Sequence, residues 1–193
     1  RNAEAAAFLE EVLKKAKIDH MAMNELCLLG AKGADRAELD RWMRDDPQAY
    51  LELASAYIMA GAYPEAAGVL QYAADKGCTY PMIFYGLGYC AEMNGDSAGA
   101  AAWYRKGSQA PHDYCYPFRP EEIEMLTHAI AADPQDAKAP YYLGDLFYEH
   151  QPERAVALWE KSRSLDPSFY IVHRNLALAY RDIKRDYPAA LES

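Results

Sequence analysis

The chain has 193 residues, half of them hydrophobic and a quarter charged, with a formal net charge of −9. That composition suits a folded domain with a sizeable core and argues against disorder. The acidic balance disfavours nucleic-acid and anionic-membrane partners, whose recognition rests on Lys and Arg.

The first residues run Arg1-Asn2 into alanines without a methionine, and the N-terminus reads as trimmed. Phe8, Leu9, Val12, Leu13 and Ala16 lie on one stripe of a helix, and Ala22 to Leu29 form a second, stopped by Gly30. Asp35 with Glu38 has the spacing of a capping box opening a short helix to Arg44. These elements, residues 1–46, are expected to be degenerate helices capping the remainder of the chain.

From residue 47 a register emerges. Leu53-Ala54 with Tyr57, Leu87-Gly88 with Ala91, Leu143-Gly144 with Phe147 and Leu176-Ala177 with Tyr180 place a small residue after a leucine. The leucines are separated by 34, 56 and 33 residues, and 56 is 34 plus 22. Each segment is followed by a second half: Ala66, Leu70 and Ala73, then Ala100 and Tyr104, then Ala155, Trp159 and Ser162. The small residue permits close approach of a first helix (A) to a second (B), and the large residues fill the space between pairs.

The 22-residue excess also reads out. Glu121 to Ala132 has the pattern of a helix B whose helix A is replaced by 111–120, a stretch with three prolines and three aromatics. Prolines at that density prevent a helix, so an extended loop is expected there. Tyr114, Tyr116 and Phe118 are expected to fold back as a plug over the unpaired helix.

These in-register copies resemble the tetratricopeptide repeat family, with its 34-residue period. The resemblance implies an all-α fold, a right-handed superhelical stack of antiparallel helix pairs with one unpaired helix after the loop. Its repeats would span about 47–80, 81–110, a half repeat with loop at 111–134, 137–167 and a truncated 170–193. Tyr114-Cys115-Tyr116-Pro117, Glu121-Glu122, Trp159-Glu160-Lys161-Ser162 and His173-Arg174-Asn175-Leu176-Ala177 further resemble a bacterial family. In that family a β-rich domain related to carbohydrate-active proteins precedes a repeat array.

By family register, certain helix-A positions line a concave groove. The first repeat supplies Gln48, Leu51, Ser55, Ile58 and Met59 there, and the second Met82, Tyr85, Tyr89, Glu92 and Met93. The third supplies Lys138, Tyr141, Asp145, Tyr148 and Glu149, and the fourth Ile171, Arg174, Leu178, Arg181 and Asp182. Tyrosine offers large contact area at small entropic cost together with a hydroxyl. The groove is therefore expected to take a peptide or partner protein, with the rings packing on one another or on the loop as the competing account. The Lys and Asn carboxylate clamp of some relatives is missing: Leu51 and Ser55, Tyr85 and Tyr89, and Tyr141 and Asp145 stand at those positions.

No nucleophile elbow, metalloprotease helix, phosphate loop or dinucleotide fingerprint occurs, and paired carboxylates sit at helix ends. His112, Asp113 and Cys115 lack the second ligand pair a zinc site shows. His173 reads as a hydrogen-bonded packing residue. No cofactor, metal or catalytic role is expected. The four scattered cysteines fit a reducing, cytoplasmic setting. A scaffold for another protein is the favoured function, with self-association open. An accessory module supporting an upstream carbohydrate-related domain is the alternative.

Overall fold

A computed structural model describes residues 1–184 and 187–192, so that Ser193, at the end of the expected last repeat, lies outside the described residues. Regular structure among them is entirely helical. The chain divides into two compact units, Arg1–Cys78 and Thr79–Ser193.

The first unit holds α1 (Asn2–Lys15), α2 (His20–Leu28), α3 (Arg36–Met43), α4 (Pro47–Met59) and α5 (Tyr63–Asp75). Aspartates start three of them: Asp19, Asp35 and Asp46 accept from the backbone N–H of Ala22, Ala37 and Gln48, each at 2.9 Å. Each bond satisfies a donor that the first helical turn leaves free. Pro47 follows Asp46 where a missing N–H costs nothing. At the other end of α2, Gly30 adopts φ 62°, and Ala31 N–H reaches back to the Leu26 carbonyl at 3.0 Å. That closure is the stop expected at Gly30.

Helices α4 and α5 are joined by three residues and pack along their length, which makes them an antiparallel pair. Leu51, Ala54 and Tyr57 of α4 and Ala66, Leu70 and Ala73 of α5 are all buried. Tyr57 ties α4 to α2, accepting from Asn24 Nδ2 at 2.8 Å and donating to Glu25 at 2.6 Å. No residue of α1 is buried, and Phe8 is 68 % exposed.

The second unit holds α6 (Pro81–Met93), α7 (Ser97–Gln109), α8 (Glu121–Ala132), α9 (Lys138–Phe147), α10 (Pro152–Leu165) and α11 (Tyr170–Ala179). A π-helical turn (Tyr180–Lys184) and α12 (Tyr187–Glu192) complete it. The leucine-plus-small signature has a direct cause here. A Cβ on Gly88 would stand 2.4 Å from the Tyr104 ring, and one on Gly144 would stand 2.5 Å from Trp159 Nε1. Helix A therefore touches helix B through its own backbone in both pairs. Trp159 completes that contact by donating to the Tyr141 carbonyl at 3.1 Å.

Helix α8 has no helix A of its own, and its face is covered by α6 and α9. Met125, Leu126 and Ala129 are fully buried in that position. The expected plug is therefore a correction: Tyr114, Tyr116 and Phe118 are 85, 58 and 64 % exposed. Cys115 and Pro117 are the buried members of the segment. Extended backbone alternates its side chains, so one parity alone can face inward, and the smaller residues take it. Glu122 fixes the choice, accepting from Phe118 N–H at 2.7 Å and Arg119 N–H at 2.8 Å.

Candidate functional site: a cleft between α9, α10 and α11

The residues expected to line a groove fall into two groups. Tyr85 and Tyr141 are 0 and 2 % exposed, and Tyr89 is also buried. As open groove walls these three are corrected: they are core. Tyr85 donates to Asp136 at 2.8 Å and sits edge-on to Tyr142, with ring centroids 6.2 Å apart. Tyr141 packs between Tyr142 and Phe169 at 5.3 and 5.0 Å. Tyr89 stands edge-on to His128 at 5.1 Å. Glu92 accepts from Tyr104 at 2.8 Å and lies 3.1 Å from His128 Nδ1, bridging α6, α7 and α8. Burial is what raises the Tyr85 and Tyr141 hydroxyls, which stay neutral hydrogen-bonding groups.

The second group stays accessible. Asp145 and Tyr148 are half-buried, and Arg174 and Arg181 are exposed. Arg181 is engaged with its neighbour Asp182 at 2.5 and 2.8 Å. Asp145 and Tyr148 line a cleft of about 130 Å³ with Trp159, Asn175 and Leu178. Helix α9 brings the first two, α10 the tryptophan and α11 the last two, so successive repeats meet there. Tyr148 and Trp159 form one aromatic wall, their centroids 5.1 Å apart.

The polar side of the cleft is a relay. Arg174 donates to Asn175 Oδ1 at 3.2 Å, and Asn175 Nδ2 donates to Asp145 Oδ1 at 3.1 Å. Burial pushes the Asp145 carboxyl up to about 7, against the opposing pull of Tyr141, Trp159, Asn175 and the Arg174 charge. A carboxyl that titrates near neutrality inside a cleft marks a candidate site.

Asn175 and Trp159 were not legible as site members. Trp159 carries the helix-B packing signal, and Asn175 lies beside the expected position 174, one helical step off the inferred face. His173 places Nε2 2.9 Å from the Pro167 carbonyl. His112 packs edge-on against Phe169 and Tyr170. Among the described residues no group of three His, Cys, Asp or Glu side chains is disposed to hold a metal. No helix among them is long and apolar enough to cross a membrane.

A second hollow, of about 640 Å³, lies in the first unit between α2, α3 and α5. The Arg36 guanidinium crosses it, 4.1 Å above the Tyr72 ring, and donates to Asn24 Oδ1 at 2.6 Å. Tyr72 in turn donates to Asp40, which also pairs with Arg36.

Helix pairs that touch through glycine, with sites formed where successive pairs meet, define an α-helical repeat protein. Residues 31–81 and 79–113 match the profile of the tetratricopeptide repeat, so this stretch of the chain carries repeats of that kind. No curated protein matches it. Among solved structures, MamA is 21 % identical over 81 % of this chain and 78 % of its own, with a TM-score of 0.38. MamA from Desulfovibrio magneticus RS-1 is 22 % identical over 75 and 89 %, with a TM-score of 0.35. YrrB, described as a TPR protein with an unusual peptide-binding site, is 18 % identical over 95 and 87 %, with a TM-score of 0.37. Proteins built of such repeats are in general non-catalytic interaction modules.

Proposed function

We propose that the chain is a protein-interaction scaffold whose second unit holds an extended segment of a partner across α9 and α11. One partner side chain enters the cleft of Asp145, Tyr148, Trp159, Asn175 and Leu178, and Arg174 stands at its rim. A single observation supports this reading above the others. Of the helix-A positions inferred to face a groove, Asp145 and Tyr148 of the third repeat and Leu178 of the fourth stay accessible and line one hollow with hydrogen-bonding groups inside it. The buried tyrosines of α6 and α9 then serve as the rigid floor that holds the helices in place.

The test is selection of random peptides on the immobilised chain, followed by affinity measurement against Tyr148→Ala and Leu178→Arg variants. Peptides that lose affinity for both variants, while circular dichroism stays unchanged, support the cleft. Peptides that bind the variants as well as the parent overturn it.

A second reading, support of another domain of the same protein, draws on α1. Its stripe of Phe8, Leu9 and Val12 has no fully buried member. An apolar helix face left open in this way suits coverage by a neighbouring domain.

A further inference from the structure

We propose that the cleft between α9, α10 and α11 accepts a lysine of the bound segment, with its ammonium on Asp145 and its methylene stem against Tyr148, Trp159 and Leu178. The inference rests on the function proposed above and gives the chemistry of what enters.

The electrostatics of the cleft are incomplete without a cation. Among the described residues no Lys, Arg or His nitrogen lies within 4.0 Å of the Asp145 carboxylate. Arg174 is the cation on the facing helix, and it spends its hydrogen bond on Asn175 Oδ1. The neighbours that bear on Asp145 are thus Arg174 and Asn175 from α11, Tyr141 from its own helix, Trp159 from α10 and the Cys115 thiol from the 111–120 segment. Four of these five are neutral at physiological pH. A carboxylate held by neutral donors in a half-buried hollow is stabilised most by a charge-assisted hydrogen bond.

Shape narrows the choice. About 130 Å³ is well below the roughly 300–1,000 Å³ of small-molecule sites and suits one extended side chain. The aromatic wall of Tyr148 and Trp159 suits an alkyl stem and gives a cation a favourable ring face. A glutamate would meet Asp145 with like charge. Arginine binds best as a fork across both carboxylate oxygens, and one oxygen here is already engaged by Asn175. A point charge needing one acceptor fits better, which selects lysine.

The experiment follows the Asn175 side-chain amide and the Trp159 indole by NMR while adding three capped tripeptides, Gly-Lys-Gly, Gly-norleucine-Gly and Gly-Glu-Gly. The lysine peptide is expected to bind about tenfold more tightly than its uncharged isostere at mildly alkaline pH, and the glutamate peptide not at all. Asp145→Asn should equalise lysine and norleucine. Acidification through about 7, where Asp145 takes up its proton, should erase the same preference. Norleucine binding as well as lysine to the parent overturns the charge assignment while leaving the cleft as a binding site. Failure of all three peptides to move either reporter overturns the lysine proposal and the cleft together.

Discussion

Gly144→Ala adds one methyl group, and the structure says where it goes. The new Cβ would lie 2.5 Å from Nε1 and 2.6 Å from Cδ1 of Trp159. Ordinary carbon contacts begin near 3.5 Å, so the indole must retreat by about 1 Å. It has little room to do so, because the ring is buried and Tyr148 packs against it. Overpacking of this kind costs about 1–3 kcal/mol. The retreat also stretches the Trp159 hydrogen bond to the Tyr141 carbonyl, for about 1 kcal/mol more. Replacing a helical glycine by alanine returns about 1 kcal/mol. The expected net loss is about 1–3 kcal/mol. Gly68→Ala is the matched control: the same exchange occurs inside α5, with nothing within 4 Å of the added carbon. That variant keeps the propensity gain of about 0.5–1 kcal/mol without the clash. Urea midpoints by circular dichroism compare the two. A Gly144→Ala protein as stable as the parent would refute the claim that the repeat signature reports backbone contact between helices.

Other outcomes concern buried polar groups. Asp136→Ala strips acceptors from the buried Tyr85 hydroxyl and from the N–H groups of Lys138 and Ala139, and should cost about 2–4 kcal/mol in urea titrations. Asp136→Asn keeps an acceptor and should cost clearly less. Asp145 titrates near 7 in the fold and near 3.8 when unfolded. Between those values the unfolded chain has lost a proton that the folded chain keeps, so stability falls as pH rises through the window and flattens above it. The parent should therefore lose more stability than Asp145→Asn between about pH 4 and pH 8, and equal losses would argue against the buried placement. Burial also pushes the Cys90 and Cys115 thiols up to about 12. A thiol reagent should label Cys27 and Cys78, both half-buried, in the native protein, and Cys90 and Cys115 only after unfolding.

The repeat halves were legible because they are local. Capping aspartates, glycine stops and leucine-plus-small pairs each act within a turn or between two helices close in sequence. Gly30, Gly88 and Gly144 do in the structure what their spacing implies, and Asp35 opens α3 as a simple cap on Ala37 N–H rather than through the reciprocal box expected with Glu38. Segment 111–120 was legible as extended, but its inward parity was not. That parity goes with Glu122, fully buried four residues past Phe118 and accepting its N–H. Hydrophobicity alone points to the rings and so gives the wrong parity.

The site shows the same division at longer range. Family register assigns Tyr85, Tyr141 and Asp145 to one wall, since it assumes that each helix A faces open space. Here α8 and the 111–120 segment enter between the second and third pairs. Beside that insertion Tyr85 is buried and held by Asp136 in the loop after α8, while Tyr141 is buried against Phe169 just before α11. The next junction, between α9 and α11, carries no such insertion, so its register survives and Asp145, Tyr148 and Leu178 remain open. Where a repeat is regular, counting finds helix-A positions that stay accessible, as at Asp145, Tyr148 and Leu178. Where half a repeat is missing, the same residue types become core, and the cleft moves to the neighbouring junction.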